Sequence, residues 1–223
     1  MNLIDFIFPK TCLGCGKDGQ YLCLSCVSKS NLVRQICIEC EKSSIDGLTH
    51  TKCTRSWGLD GAVSIWVYEG IIRKALIKLK YKFAYELANE LSRYASDFMK
   101  KNINALPKNA ILTSVPLHAR RQKWRGFNQS EEIGKLIAQN LGWEFRKGIV
   151  IRKIPTKPQT ELKRSQRKKN ILGAFSLKPN HQLLSTNYII FDDVATTGST
   201  LREVTKVLKR SGAKSVWGLT IAR

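Results

Sequence analysis

Acidic side chains are in short supply. Seventeen Asp and Glu stand against thirty-eight Lys and Arg in 223 residues, leaving a formal charge of +21. Few enzymes of small molecules need such an excess, and it points to a polyanionic partner. Long apolar runs are missing too: no stretch reaches the roughly eighteen residues that a bilayer span requires. The opening Met1-Asn2-Leu3-Ile4-Asp5-Phe6-Ile7-Phe8 has neither a basic start nor a small-residue cleavage site. A soluble, cytoplasmic protein without a membrane span is expected. Cysteine is absent after residue 53, all seven lying between 12 and 53; without a secretion signal they read as metal ligands and not as disulfides. No internal repeat at solenoid spacing accompanies the recurring C-x-x-C units. The chain is 43% apolar, enough to build a core and too much for a disordered or collagen-like protein.

Charge and periodicity divide the chain. Residues 107–187 hold 17 Lys and Arg against 4 Asp and Glu, so +13 of the excess falls there. A cysteine-rich module is expected over 1–58 and an α/β domain over 59–223, because apolar β-branched runs there alternate with helical periodicity. Candidate strands are Ala62–Tyr68, Ile111–Val115, Ile149–Ile151, Tyr188–Phe191 and Val216–Ile221. One helical pattern runs from Ile72 to Phe98 with a break near Tyr81–Tyr85, a second covers Ile133 to Leu141, and a third runs from Ser199 to Arg210 with Gly212 as its C-cap.

Cys12 and Cys15, Cys23 and Cys26, and Cys37 and Cys40 form three C-x-x-C knuckles, and His50-Thr51-Lys52-Cys53 forms a fourth of type H-x-x-C. A two-residue turn aims both ligands of a knuckle at one ion, and eight ligands are what two closed, four-coordinate zinc sites require. Spacing leaves two pairings open. Sequential sites would join Cys12/Cys15 to Cys23/Cys26 and Cys37/Cys40 to His50/Cys53, and interleaved sites would reach across longer spans. His50 as a solvated loop residue is the alternative to a ligand, leaving three cysteines at the second site. A module of about fifty residues so poor in apolar runs buries little surface by itself, so the metal is structural and contributes folding energy.

The most informative segment is Tyr188-Ile189-Ile190-Phe191-Asp192-Asp193-Val194-Ala195-Thr196-Thr197-Gly198-Ser199-Thr200-Leu201. An apolar strand ends in two carboxylates, passes a short Thr/Gly/Ser turn and enters a helix. A helix N-terminus beyond a strand's carboxyl end offers N–H groups and a positive dipole to phosphate. Thr196, Thr197, Ser199 and Thr200 add hydroxyl donors, and the paired acids suit ribose hydroxyls, directly or through magnesium. The plainer alternative is a strand-to-helix turn with a Ser or Thr cap. The segment resembles the 5-phosphoribosyl-1-diphosphate (PRPP) motif of type I phosphoribosyltransferases.

Further residues extend the likeness: Val115-Pro116-Leu117-His118, then Arg125-Gly126-Phe127-Asn128-Gln129-Ser130, then Gln159, Leu162, Arg167, Asn170 and Gly173-Ala174-Phe175. Together with the knuckles they resemble the ComF family, from Cys12 to Arg223. The departures are the H-x-x-C knuckle and Ala195, where a bulkier aliphatic is usual. The resemblance implies a zinc ribbon joined to a type I phosphoribosyltransferase-like parallel sheet flanked by helices. It also implies a part in natural competence, with PRPP and single-stranded DNA as ligands and the helicase or recombination machinery of DNA uptake as partners. In that family pattern Asp192 and Asp193 hold the ribose with magnesium, residues 195–200 hold the 5-phosphate, and Val115-Pro116-Leu117 forms the diphosphate loop. Residues 155–171 form a flap, within which Arg167 serves catalysis. An active phosphoribosyltransferase with a nucleobase or amine acceptor is the alternative function.

Basic residues interleaved with aromatics suggest a nucleic-acid surface. Arg120, Arg121, Lys123, Trp124 and Arg125 combine phosphate-tracking charge with a ring on which bases stack, and Lys80 and Lys82 repeat the theme near Tyr81 and Phe83. The alternative for Trp124 and Phe127 is packing in the core, with the cations solvated around them.

Overall fold

The computed structural model describes residues 10–81, 85–155 and 170–223. In chain order its strands are β1 (Gly61–Trp66), β2 (Ala110–Ser114), β3 (Glu144–Phe145), β4 (Val150–Arg152), β5 (Phe175–Leu177), β6 (Asn187–Val194) and β7 (Ser215–Ala222). Its helices are α1 (Leu24–Ser28), α2 (Gly70–Tyr81), α3 (Tyr85–Asn102), α4 (Ala119–Arg125), α5 (Gln129–Leu141) and α6 (Ser199–Arg210). Five strands form one parallel sheet in the order β1-β7-β6-β2-β3, while β4 and β5 pair antiparallel in a separate hairpin.

A parallel sheet covered on both faces needs continuous apolar strands, and Tyr188–Phe191 supplies one. Ile189 and Phe191 pack on one face with Leu76 of α2, Leu87 and Leu91 of α3 and Ile133 and Ile137 of α5. Tyr188 and Ile190 face the other side, where Leu201, Val204 and Leu208 of α6 meet Phe175 of the hairpin. The cysteine-rich segment lies against this frame. Glu90 of α3 accepts the N–H of Leu22 at 2.7 Å, and the Tyr94 hydroxyl donates to the Leu22 carbonyl at 3.1 Å. On the edge of β1, the Gln35 amide donates to the Ser64 carbonyl at 2.8 Å and accepts the Ser64 N–H at 3.3 Å. Residues 31–35 thereby cover a sheet edge that would otherwise offer unpaired backbone groups.

Three local expectations are corrected. The strand expected to stop at Phe191 runs on to Val194, because Asp192 pairs with Thr220 and Val194 with Ala222 of the long neighbour β7; the two aspartates are therefore strand residues. The last helix is capped by Ser211, and Gly212, at φ +104°, is the next residue. There the Gly212 N–H bonds the Lys209 carbonyl and the Ala213 N–H bonds the Leu208 carbonyl, the double closure of a Schellman turn. Ile149–Ile151 belongs to the hairpin and not to the main sheet.

Candidate functional site

The knuckles resolve into two groups. Ligand atoms of Cys12, Cys15, Cys23 and Cys26 lie within 4.8 Å of one another, and so do those of Cys37, Cys40, His50 and Cys53. This is the sequential pairing. His50 points inward, its Nδ1 3.3 Å from the Cys40 sulfur and its Nε2 3.1 Å from the Ser43 carbonyl. A ring nitrogen that donates to a carbonyl leaves the other as a lone pair for metal, the usual second partner of a metal-ligating histidine. The sulfurs themselves are electronically unequal. Burial would raise the Cys12 thiol, but the N–H groups of Cys15, Cys23 and Gly14 outweigh it and bring it down to about 6. Hydrogen bonds that the Cys26 thiol donates to the Cys23 and Cys15 sulfurs, then burial, push Cys26 up to about 12. Four soft donors so crowded that they resist joint ionisation suit zinc, which holds thiolates together.

The second constellation lies at the carboxyl ends of β2 and β6. The chain leaves β2 towards β3 on one side and leaves β6 towards β7 on the other. Such a reversal opens a crevice where ligands of α/β sheets bind. Val115 follows β2 and donates its N–H to the Phe191 carbonyl at 2.8 Å; Pro116 and Leu117 are half-buried beyond it. Asn128 caps α5, accepting the Ser130 N–H at 3.2 Å while its amide donates to the Val115 carbonyl at 3.0 Å. The first turn of α5 is thereby tied to the loop after β2.

That turn serves the aspartates. The Ser130 hydroxyl donates to Asp192 Oδ1 at 3.0 Å, and the Gln129 amide donates to Asp193 Oδ2. Lys80 Nζ stands 3.6 Å from the same Asp193 oxygen, and Arg125 Nη1 donates to Gln129 Oε1 at 3.2 Å. Burial, followed by the charge of Asp193, holds the Asp192 carboxyl well above the usual carboxylate range. Arg152, on β4, is drawn down to about 10 by burial and by the nearby Arg121 charge, with Asp192 acting in the opposite sense. Beyond the strand, the Ala195 N–H bonds the Ala222 carbonyl at 3.0 Å, and the Thr197 and Ser199 hydroxyls meet at 2.8 Å. Asp192, Ala195, Thr196, Gly198, Ser199 and Thr200 line a cleft at the N-terminus of α6.

The basic-aromatic segment divides between two directions. It forms α4, a short helix that sequence periodicity misses, capped by His118 Nδ1, which accepts the Arg120 N–H at 3.3 Å. Trp124 is 76% exposed, with Arg120 and Lys123 exposed beside it. Arg121 and Arg125 are half-buried: Arg125 reaches Gln129, which in turn holds Asp193, and Arg121 acts on Arg152; Lys80 lies with Asp193 and not with this surface. Arg167 and Lys82 lie outside the described residues. Sequence reasoning does not assign Gln129, Ser130 and Arg152 to the site. Gln129 and Ser130 sit more than sixty positions from Asp192 in the chain, and only the pairing of β2 with β6 brings them together. No helix among the described residues is long and apolar enough to cross a membrane.

No family model matches the chain. A DNA utilization protein YhgH of Salmonella typhi is 35% identical over 156 residues, covering 69% of this chain and 68% of that protein. Competence protein F of Haemophilus influenzae is 29% identical over 218 residues, covering 95% and 90%. Competence protein ComFC of Bacillus subtilis is 27% identical over 222 residues, covering 96% and 84%. Among solved structures, a hypoxanthine phosphoribosyltransferase from Staphylococcus aureus is 11% identical, with a TM-score of 0.37, over 65% of this chain and 69% of that one.

Proposed function

The chain belongs to the ComF family, and from that footing we propose that it binds PRPP with magnesium at the carboxyl ends of β2 and β6 and handles single-stranded DNA in natural competence. One observation carries the reading: adjacent carboxylates stand at the point where the sheet's connections diverge, beside a helix N-terminus, with Lys80, Arg125 and Arg152 near them and Arg121 acting on Arg152. An anionic sugar ligand needs this mixture, hydroxyl-seeking acids at its centre and cations at its phosphates.

Asp192 and Asp193 are the residues that would hold magnesium, since neighbouring hard oxygens of which one resists ionisation are relieved by a divalent cation. The ion supplies charge neutralisation at the diphosphate. The chain's own groups do the remaining work. Thr196, Thr197, Gly198, Ser199 and Thr200 receive the 5-phosphate through hydroxyls and N–H groups at the start of α6, and Ala195, whose N–H is held by the Ala222 carbonyl, anchors the loop's beginning. Val115, Pro116 and Leu117 shape the diphosphate loop, and Arg152 and Arg121 offset its charge. Arg167 keeps its place in the proposal as a flap cation. Single-stranded DNA would run over Arg120, Lys123 and the exposed Trp124. Zinc in the two knuckle groups is structural, the division near residue 58 separates that module from the ligand-binding domain, and the partners are the cytoplasmic machinery of DNA uptake or recombination.

Calorimetric titration of the zinc-loaded chain with PRPP and magnesium tests this. The intact protein is expected to bind, and Asp192→Asn/Asp193→Asn is expected to weaken binding at least tenfold; no binding by the intact protein would overturn the reading. A second reading, an active phosphoribosyltransferase, is favoured by the approach of Ile38 to Gly198, since a knuckle beside the cleft could wall an acceptor pocket. Repeating the titration with nucleobase and amine acceptors and assaying diphosphate release separates turnover from binding.

A further inference from the structure

Arg202 lies in the first turn of α6, four residues past Gly198, and its guanidinium reaches in two directions at once. Nη1 donates to the Thr197 carbonyl at 2.6 Å, inside the loop proposed to hold phosphate. Nε donates to Glu39 Oε1 at 3.0 Å and Nη2 donates to the Ile38 carbonyl. Ile38 and Glu39 are the two residues between Cys37 and Cys40. Ile38 is 1% exposed, and a Cβ placed on Gly198 would come within 2.7 Å of its Cδ1. With φ at +69°, Gly198 accommodates both the left-handed turn and this close approach. A knuckle of the second metal group is therefore pressed onto the loop, and one planar fork fastens the two.

We infer that Arg202 positions the phosphate loop through the Cys37–Cys40 knuckle, so that metal at Cys37, Cys40, His50 and Cys53 sets the affinity of the ligand site. The inference rests on the PRPP reading for the identity of the ligand, but not for the coupling itself. The conformation of Ile38 and Glu39 depends on both flanking cysteines being aimed at one point. Without that constraint the knuckle loses its fixed turn, and Arg202 loses two of its three acceptors. The Thr197 carbonyl, and with it the direction of the neighbouring N–H groups, is then no longer held. A lysine at 202 keeps the charge but lacks the fork needed to meet three acceptors. The first metal group is placed elsewhere. Gly14 packs on Cys26 and on Ile71 of α2, and Cys12 and Cys23 belong to the core cluster on the opposite face of the sheet from α6.

The full-length chain tests the coupling in two ways: PRPP-magnesium affinity by calorimetry, and ligand-free hydrogen exchange of amides 196–201, with zinc content measured for every variant. Cys53→Ser, with one zinc lost, and Arg202→Lys, with both retained, are each expected to weaken binding tenfold or more and to speed exchange at these amides. If Cys53→Ser does not fold, Arg202→Lys decides the positioning role, and stepwise removal of zinc from the intact chain by chelator, read at the same amides, decides the metal's part, with unchanged exchange on loss of zinc overturning it. Unchanged exchange in folded Arg202→Lys would overturn the inference. If the intact chain does not bind PRPP while exchange still responds to both substitutions, the coupling stands and only the ligand assignment falls.

Discussion

At Asp192 the fold works against ionisation. The carboxyl accepts from Ser130 and from the Asp193 N–H, yet burial and the adjacent charge outweigh both and raise its pKa. A carboxyl whose folded pKa lies above its unfolded value, near 4, costs nothing while both states are protonated. As pH rises past the unfolded value, the unfolded chain loses its proton first and stability falls until the folded pKa is passed. Asp192→Asn removes that loss, and its amide oxygen still accepts from Ser130. The variant is expected to gain about 1 kcal/mol at pH 7, or roughly 2–4 °C in Tm for a chain of this size, with little gain at pH 4. Thermal melts from pH 4 to 8 check this, and parallel pH profiles for the two proteins would refute it. A residue that weakens the fold at neutral pH while standing in the proposed site is the kind of local inconsistency that function explains.

Among the elements, the loop that carries His50 depends on a single backbone position. Gly47 has φ +74°, and a Cβ there would fall 2.0 Å from the Ala62 carbonyl oxygen of β1. Leu48 bridges Gly61 on the same strand. Gly47→Ala adds left-handed strain to a clash with rigid backbone, so a destabilisation of roughly 2–4 kcal/mol is expected. In urea denaturation of the zinc-loaded protein the midpoint should fall, and chelator competition should show zinc leaving one site more readily than the other. A variant with the intact protein's midpoint would show that the loop does not lean on β1. How far such elements are legible in sequence follows from the range of the forces that form them. The strand before Asp192 and the helix after Ser199 are visible because burial on two faces and a 3.6-residue period are local patterns. The end of β6 is not, because the ladder to β7 sets it. α4 escapes notice because Arg120 to Arg125 has no apolar face and owes its start to the His118 cap. The cysteine pairing stays open because spacing alone does not say which knuckles fold onto one ion.

For the molecule as a whole, with its formal charge of +21, two groups of cations stand out among the described residues. Lys80 stands against Asp193, Arg125 bonds the Gln129 that holds Asp193, and Arg152 lies under the charges of Asp192 and Arg121, a group of cations that would meet a phosphorylated sugar. Arg120 and Lys123 are exposed on the same helix as the exposed Trp124. One short helix thus carries cations in both groups, and the two proposed ligands, a phosphorylated sugar and a nucleic-acid strand, are separable by experiment. Removing Arg120 and Lys123 should weaken binding of a single-stranded oligonucleotide and lower the slope of log affinity against log salt by roughly 0.7 for each phosphate no longer neutralised. Trp124→Ala should cost about 1–3 kcal/mol of stacking and leave that slope nearly unchanged, since a ring neutralises no phosphate. Neither change should alter PRPP-magnesium affinity, because Arg121 and Arg125 are retained. Fluorescence titrations between 50 and 300 mM salt (about two doublings and a half, ample for a slope) distinguish the effects. An unchanged slope in the Arg120→Gln/Lys123→Gln protein would move the nucleic-acid surface away from α4.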